Sequence, residues 1–568
     1  MTREGPQPPP TRRRTRRRAT AALLASATIG AGVVAAAPPA VAAGSGIAVP
    51  GTATTVVPGT ALRPLDEKWG DDSTGEGAKA QLGTSTWHAD HDRGSMYSTT
   101  KDTGAHDVWG KTDPRGRKVT GLGVGVALLD TGVAPVEGLL TPGRLVNGPD
   151  LSFESQAPGT RYLDGYGHGT HMAGIIAGRD SAVPVGGEND AKHFVGMAPD
   201  ATLVNVKVGA ADGGVDVSQV VAGIDWVVTN RAKHNIRVLN LSYGTDSVQA
   251  ASLDPLAHAV ESAWRAGIVV VVAAGNDGEG WGEQRLTMPA IDPFVLAVGS
   301  TDHRGSDKPE DERAGTWTNE GSSSRRADVL APGKSMVGLR VPGSFADRGH
   351  PEGLVAGESG RLFRGTGTSQ SAAVVSGAAA LLLQRNPALT PDQVKGLIKA
   401  SADRLMNERG VLAGVGELDV KGAVEIIESG YVPAYRQGFA RSTGTGSLDA
   451  SRGGSHVTDP DNGLQLRGEQ DVFGEPWNAA SWAASSTAGT AWSGGTWRGT
   501  QWAGAGYAGS SWAPIDWTRR SWSGVDWSRR TWSTMTFLRR TWSGDDFQRR
   551  TWSTDQFTRR TWSTDDAW

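Results

Sequence analysis

Val126-Ala-Leu-Leu-Asp-Thr-Gly-Val133 is an apolar run that ends in a carboxylate and a Thr-Gly turn. A strand covered on both faces carries such a run, whereas a strand with one wet face alternates apolar and polar residues. Similar β-rich runs lie at 124–129, 202–208, 238–241, 268–272, 294–298 and 329–330, with helix-like stretches, including 217–234 and 254–266, between several of them. This alternation predicts a parallel sheet covered by helices on both faces, an α/β architecture. Ligands bind such sheets just beyond the carboxyl ends of strands. Asp130 sits at such an end, although taken alone it reads as a turn residue.

Two further polar motifs fall at predicted strand ends and helix starts. Gly165-Tyr-Gly-His-Gly-Thr-His-Met-Ala-Gly174 places His168 at the mouth of a helix of small residues. A helix-capping histidine is the plain alternative. A zinc pair of His168 and His171 is another, but residues three apart need further ligands and none is evident nearby. Phe363-Arg-Gly-Thr-Gly-Thr-Ser-Gln-Ser-Ala-Ala-Val-Val375 carries the hydroxyls of Thr366, Thr368, Ser369 and Ser371 into a second helix of small residues. Small residues all round suit a helix buried against a sheet, and Asn386-Pro387 ends it. Thr390-Pro-Asp-Gln393 then opens another helix with an N-cap hydroxyl, proline at the first position and glutamine three residues after the cap.

Acyl transfer through a side-chain nucleophile needs a hydroxyl, a base to take its proton, and a carboxylate to fix the base's tautomer. It also needs donors for the oxyanion. Val269-Val-Val-Val-Ala-Ala-Gly-Asn276, a buried strand ending in an amide donor, fits that last role. One such motif is weak evidence, but four complementary ones in the order Asp, His, Asn, Ser are strong.

In these motifs the chain resembles the subtilisin-like serine proteases, the subtilases. The likeness rests on Asp130 in Leu129-Asp-Thr-Gly-Val133, His168 in His168-Gly-Thr-His-Met-Ala-Gly174, Asn276 in Ala273-Ala-Gly-Asn276 and Ser369 in Gly367-Thr-Ser-Gln-Ser-Ala372. It extends over roughly 104–428 and includes Asn240-Leu-Ser-Tyr-Gly244, Leu330-Ala-Pro-Gly333 and Gly414-Val-Gly-Glu-Leu-Asp419. The resemblance implies a three-layer α/β fold with a parallel central sheet and a serine endopeptidase working through an acyl-enzyme. Asp130, His168 and Ser369 would form the triad, Asn276 and the Ser369 N–H the oxyanion hole. Ser242, Tyr243 and Gly244 would pair with an extended polypeptide substrate, and Thr366, Thr368 and Ser371 would be structural. No cofactor is implied for the chemistry, while structural calcium is common in the family. Gly187-Glu-Asn-Asp190 is a candidate ion loop, with a solvated acidic loop as the plainer reading. A base of this kind predicts a rate that rises around the free-imidazole value of about 6.5. The chain departs from the family at Ala373, where proline is usual, and in a leader shorter than the usual propeptide.

The ends of the chain have their own character. Seven arginines and one glutamate in residues 1–18 precede an uncharged Ala-rich run that closes with Ala40-Val-Ala-Ala43. That is the pattern of an export signal, here 1–43, and a retained anchor is the alternative. Removing it takes the formal charge from −3 to about −9, a poor balance for nucleic-acid binding. With no cysteine there are no disulfides or thiolate metal sites. Later residues hold no apolar run long enough to span a membrane, so a secreted, extracellular protein is expected, with cell-wall association a further candidate.

The organisation expected is a leader or short propeptide at 44–104, a catalytic domain at 105–430, a linker at 431–476 and a repeat tail at 477–568. From Trp477 to Trp562 every fifth residue is aromatic at 17 of 18 places, Thr487 being the exception. A spacing of five suits neither a strand face nor a helix face. It requires either a turn in every repeat, as in a β-solenoid, or an unfolded chain dotted with aromatic groups. Ten arginines beyond Ser511 accompany the aromatics. Such a tail is a candidate for binding cell-envelope material or for self-association. A surface-binding or assembly protein is therefore the alternative function.

Overall fold

The computed structural model describes residues 87–155, 160–278, 285–304, 311–355, 357, 359–406, 408–458 and 464–502. The expected export signal, most of the leader and the repeats after residue 502 lie outside the described residues.

In chain order the first strands are β1 (Gly125–Asp130), β2 (Leu145–Asp150), β3 (Thr202–Lys207), β4 (Ile236–Leu241) and β5 (Val269–Ala273). There follow β6 (Leu296–Asp302), β7 (Arg313–Ala314), β8 (Val329–Pro332), β9 (Met336–Leu339) and β10 (Leu362–Gly365). The short strands are β11 (Asp403–Arg404), β12 (Gly416–Glu417), β13 (Trp492–Ser493), β14 (Thr496–Trp497) and β15 (Thr500–Gln501). The helices begin with α1 (Met96–Asp102), α2 (Ala105–Gly110), α3 (His168–Ala177), α4 (Val217–Asn230), α5 (Pro255–Arg265) and α6 (Phe345–Gly349). They continue with α7 (Thr368–Arg385), α8 (Pro391–Ser401), α9 (Val420–Glu428), α10 (Leu448–Arg452) and α11 (Ala479–Thr487).

The main sheet has the order β11-β12-β8-β6-β5-β4-β1-β3-β2, with β7 on β6. From β2 across to β12 every neighbouring pair is parallel. The expected parallel sheet is therefore present, and β1 and β5 are buried along their whole length. After β1 the chain moves to β2 and β3 on one side, then returns to β4 and β5 on the other. The order reverses at β1, which opens a crevice at its carboxyl end.

Helices cover both faces. Leu129 and Val206 lie against Gly223 of α4, while Ser376 of α7 donates to Asn240 on β4. Since Leu128 pairs with Asn240 and Leu129 with Val206, strand alternation puts α4 and α7 on opposite sides of the sheet. The helix starts follow their capping chemistry. Asp216 and Gln219 form a capping box on α4, Thr390 and Gln393 another on α8, and Asp254 caps α5 ahead of Pro255. Despite alanine at 373, α7 is one unbroken helix of 18 residues.

Two boundaries differ from expectation. The expected leader runs to residue 104, yet its last part is ordered, with α1 lying within it. Val337 donates to the carbonyl of Gly94 at 2.7 Å, and Arg364, five residues before Ser369, pairs with Asp92 at 3.2 Å. The stretch expected as a linker, 431–476, is packed against the body: Leu448, Val457, Leu466 and Val472 join the main core, and Arg452 is wholly buried on Asp216. Polar, glycine-rich composition hid both segments, because side-chain bonds rather than apolar periodicity order them.

The start of the repeat tail also has structure. Trp477, Trp482, Trp492, Trp497 and Trp502 are all buried. Residues 479–487 are helical, and 492–501 form a three-stranded antiparallel meander in which Trp492 pairs with Trp497. A turn in each five-residue unit does occur there, in a meander rather than a solenoid. Thr487 breaks the aromatic series where its hydroxyl meets His258 Nε2 at 3.1 Å.

Candidate active site

Asp130 closes β1 at the crevice, and its carboxylate is buried. Its Oδ1 accepts from the Thr131 N–H at 2.8 Å, and His168 Nδ1 lies 2.8 Å from Oδ1 and 3.0 Å from Oδ2. Burial pushes the Asp130 carboxyl up, against the opposing pull of His168 and the Thr131 amide. An aspartate placed this way fixes the imidazole with Nδ1 protonated and Nε2 as the basic edge.

The loop before α3 is held by a residue that sequence reasoning missed. Asp164 accepts from the N–H groups of Tyr166, Gly167 and Thr170 and from Thr131 Oγ1 at 2.8 Å. Thr131 Oγ1 in turn accepts from Gly169 N–H at 2.9 Å. This network ties the end of β1 to the start of α3, and so sets Asp130 opposite His168. An aspartate four residues before a helical histidine was the available signal. A Cβ on Gly169 would lie 2.1 Å from the Gly132 carbonyl oxygen, so no larger residue fits beside the histidine.

Ser369 is the second residue of α7, where a backbone N–H has no acceptor within its own helix. The four hydroxyls of its loop are sorted by their bonds. Thr366 Oγ1 accepts from Ser335 N–H at 2.9 Å, Thr368 Oγ1 donates to Asn276 Oδ1 at 2.9 Å, and Ser371 Oγ donates to Ala331 O at 2.9 Å. Buried Ser369 Oγ finds no hydrogen-bond partner among the described residues. Hence the structure joins His168 to Asp130 but forms no hydrogen bond between the imidazole and Ser369 Oγ. The helices that carry these two residues in their first turns, α3 and α7, pack against each other.

Asn276 follows β5 and is buried. Its Oδ1 accepts from both the N–H (2.8 Å) and the hydroxyl of Thr368, which fixes the amide so that Nδ2 is its donor edge. A Cβ on Gly367 would stand 3.4 Å from both ends of that amide. Ser242 Oγ donates to Ser369 O at 3.4 Å, linking α7 to the segment that follows β4. Tyr243 and Gly244 are buried there too, Gly244 tightly against Thr287.

Other candidates resolve differently. His171 is buried behind His168, and burial, then His168, lowers it to about 3, so it is neutral packing beside Gly338. Glu188 in the candidate ion loop pairs with Arg179 at 3.1 Å, and Asp190 pairs with His193 at 2.6 Å. Among the described residues no group of three or more His, Asp or Glu side chains is arranged to hold a metal ion. Nor is any helix there long and apolar enough to cross a membrane.

The profile of the Subtilase family, Peptidase_S8, matches residues 121–417. Serine protease AprX of Bacillus subtilis (strain 168) is 33% identical over 317 residues, covering 54% of this chain and 68% of that protein. Subtilisin Savinase of Lederbergia lenta is 32% identical over 289 residues, covering 51% of this chain and 87% of that protein. A crystal structure of a cold adapted subtilisin-like serine proteinase is 29% identical, with a TM-score of 0.38 over 53% of this chain and 89% of that one.

Proposed function

We propose, from the premise that this chain belongs to the subtilase family of serine endopeptidases, that Asp130, His168 and Ser369 are its triad. The observation that carries the assignment is the sorting of hydroxyls. A nucleophile must be able to turn its hydroxyl toward a base and a carbonyl, and three of the four hydroxyls in the loop are tied in place, Thr366 as acceptor from a backbone N–H and Thr368 and Ser371 as donors. His168 takes the Ser369 proton as Oγ attacks the scissile carbonyl, then passes it to the leaving amine. Asp130 holds the imidazole and stabilises the imidazolium. Asn276 Nδ2 and the Ser369 N–H bind the oxyanion, where one donor is worth roughly 3–4 kcal/mol. Catalytic hydrogen bonds such as that between imidazole and hydroxyl often tighten only in the complex with substrate.

The substrate is a polypeptide held extended along Ser242–Gly244. The export pattern at 1–43 supports action outside the cell. Pentads up to Trp502 are engaged on the catalytic domain, so association with cell-envelope material or with a second copy falls to the repeats after it. No cofactor takes part in the chemistry, and structural calcium, if bound, uses carbonyl and carboxamide oxygens as well as carboxylates.

Ser369→Ala tests the assignment. Casein hydrolysis and labelling by a serine-acylating reagent should both vanish while the thermal midpoint holds. Hydrolysis that survives the change would refute Ser369 as nucleophile.

A further inference from the structure

The segment after Gly244 is bolted to a C-terminal strap, the stretch around α10 (Leu448–Arg452) and Gly454. Thr245 Oγ1 donates to Ser451 O at 2.7 Å, and Gly454 N–H donates to Asp246 Oδ1 at 2.8 Å. Ser451 Oγ donates to Asp254 Oδ1, the cap of α5, at 2.8 Å. Beside them Arg452 Nε donates to Asp216 Oδ2 at 2.6 Å and Nη2 to Oδ1 at 3.2 Å, with both groups fully buried. Asp216 also caps α4 through Ser218 N–H. The remaining guanidinium donors reach Gly468 O, Gln470 O and, at 3.3 Å, Asp449 Oδ1. Tyr243 lies within the field of Asp216 and Arg452.

One short helix thus grips the start of α4, the start of α5 and the chain immediately following the substrate-binding segment. A fully buried arginine fork is costly to desolvate and holds one geometry. A strap that only covered apolar surface would need none of these bonds.

We propose that Ser451 and Arg452 are positioning residues for peptide hydrolysis: they hold Ser242–Gly244 in register as the edge on which an extended polypeptide is bound. This rests on the reading of Ser242–Gly244 as the substrate edge. The strap bears on Ser242–Gly244 through Thr245 and on the triad only through the long bond of 3.4 Å from Ser242 Oγ to Ser369 O, so its larger effect falls on binding of long substrates.

The test compares the full chain with Thr245→Val, which removes one bond and keeps the shape, and with Arg452→Met and Arg452→Lys. Substrates are a single-residue acyl ester and a four-residue peptide lengthened on the acyl side. Active-site titration with a serine-acylating reagent counts the folded enzyme. The ester rate per titrated site should stay within about twofold. The kcat/KM gained by lengthening should fall by about tenfold in Arg452→Met and about threefold in Thr245→Val, mostly through KM. Arg452→Lys should recover part of that loss. Variants that keep the whole gain, or lose ester and peptide rates in parallel, would overturn the proposal. If the unaltered enzyme gains nothing from lengthening, the fault lies in the substrate-edge reading itself, and the proposal falls with it.

Discussion

Asp225 on α4 offers a quantitative test of how the first repeats are held. Its buried carboxylate accepts from Trp482 Nε1 at 2.8 Å and Trp497 Nε1 at 2.9 Å, both on Oδ2, and from Ser486 Oγ at 2.6 Å on Oδ1. An indole N–H can only donate, whereas a hydroxyl can also accept. Asp225→Asn can therefore keep its carbonyl toward the indoles and give an N–H to Ser486 Oγ. It loses only charge assistance, about 1 kcal/mol. Asp225→Leu strands two buried indole donors at about 1–3 kcal/mol each. Removing a desolvated carboxylate, which burial already pushes up, offsets part of that, so about 3 kcal/mol net is expected. Urea unfolding in a Ser369→Ala background, which prevents self-digestion, measures both. Cleavage between 477 and 502 by an added protease should accelerate in Asp225→Leu and barely change in Asp225→Asn. Equal damage from both substitutions, or none from leucine, would refute the reasoning.

Three further outcomes follow from the same bonds. Asn276→Asp keeps the acceptors for Thr368 but loses the Nδ2 donor, so kcat should drop by at least about 10²–10³-fold with the thermal midpoint little moved; an unchanged kcat would remove Asn276 from the oxyanion site. Gly333→Ala places a Cβ 2.3 Å from both Ser300 Oγ and Ser371 Oγ and 2.8 Å from Gly367 O. It should cost about 1–3 kcal/mol and lower kcat by displacing the loop before Ser369, as read by urea unfolding and peptide kinetics. Burial, then the nearby Glu261 carboxylate, push Asp292 up to about 8. The folded chain thus keeps a proton that an unfolded aspartate sheds near about 4, and stability must fall as pH rises between those values. Asp292→Asn should flatten the slope of the thermal midpoint between pH 5 and 8; parallel slopes would count against the shift.

The parts legible in the sequence were those whose signal is periodic or local. The apolar runs at 124–129, 202–208 and 268–272 became β1, β3 and β5 within a residue or two, and Thr390-Pro-Asp-Gln393 became the expected capping box of α8. By contrast, β2, at the sheet edge, is only partly buried over most of its length and carries no continuous apolar run. Residues that act through one distant bond left no such trace. Arg452 looks like any surface arginine until Asp216, far earlier in the chain, is placed beside it. Asp225 is a single carboxylate whose partners Trp482, Ser486 and Trp497 lie far along the chain on other elements. Loops and straps of this kind are ordered by long-range polar satisfaction, which a window of neighbouring residues does not contain.

The same long-range bonds explain why the C-terminal additions belong where they are. The crevice at β1 is fixed by the sheet, but α4 and α5 begin beside it and carry many of the bonds made by the described residues after 440. Arg452 holds the start of α4, Ser451 the start of α5, Ser442 N–H donates to Glu261 within α5, and Trp482 and Trp497 hold Asp225 within α4. A load placed on the strap is therefore delivered to the helix starts that flank the proposed substrate edge, while Asp130, His168 and Ser369 sit on β1, α3 and α7. On the proposed assignment, catalytic chemistry and substrate grip have largely separate supports, joined by the Ser242 Oγ bond to Ser369 O. Strap substitutions should move KM and leave the acylation of a minimal ester alone, and substitutions around Asp164 should do the reverse.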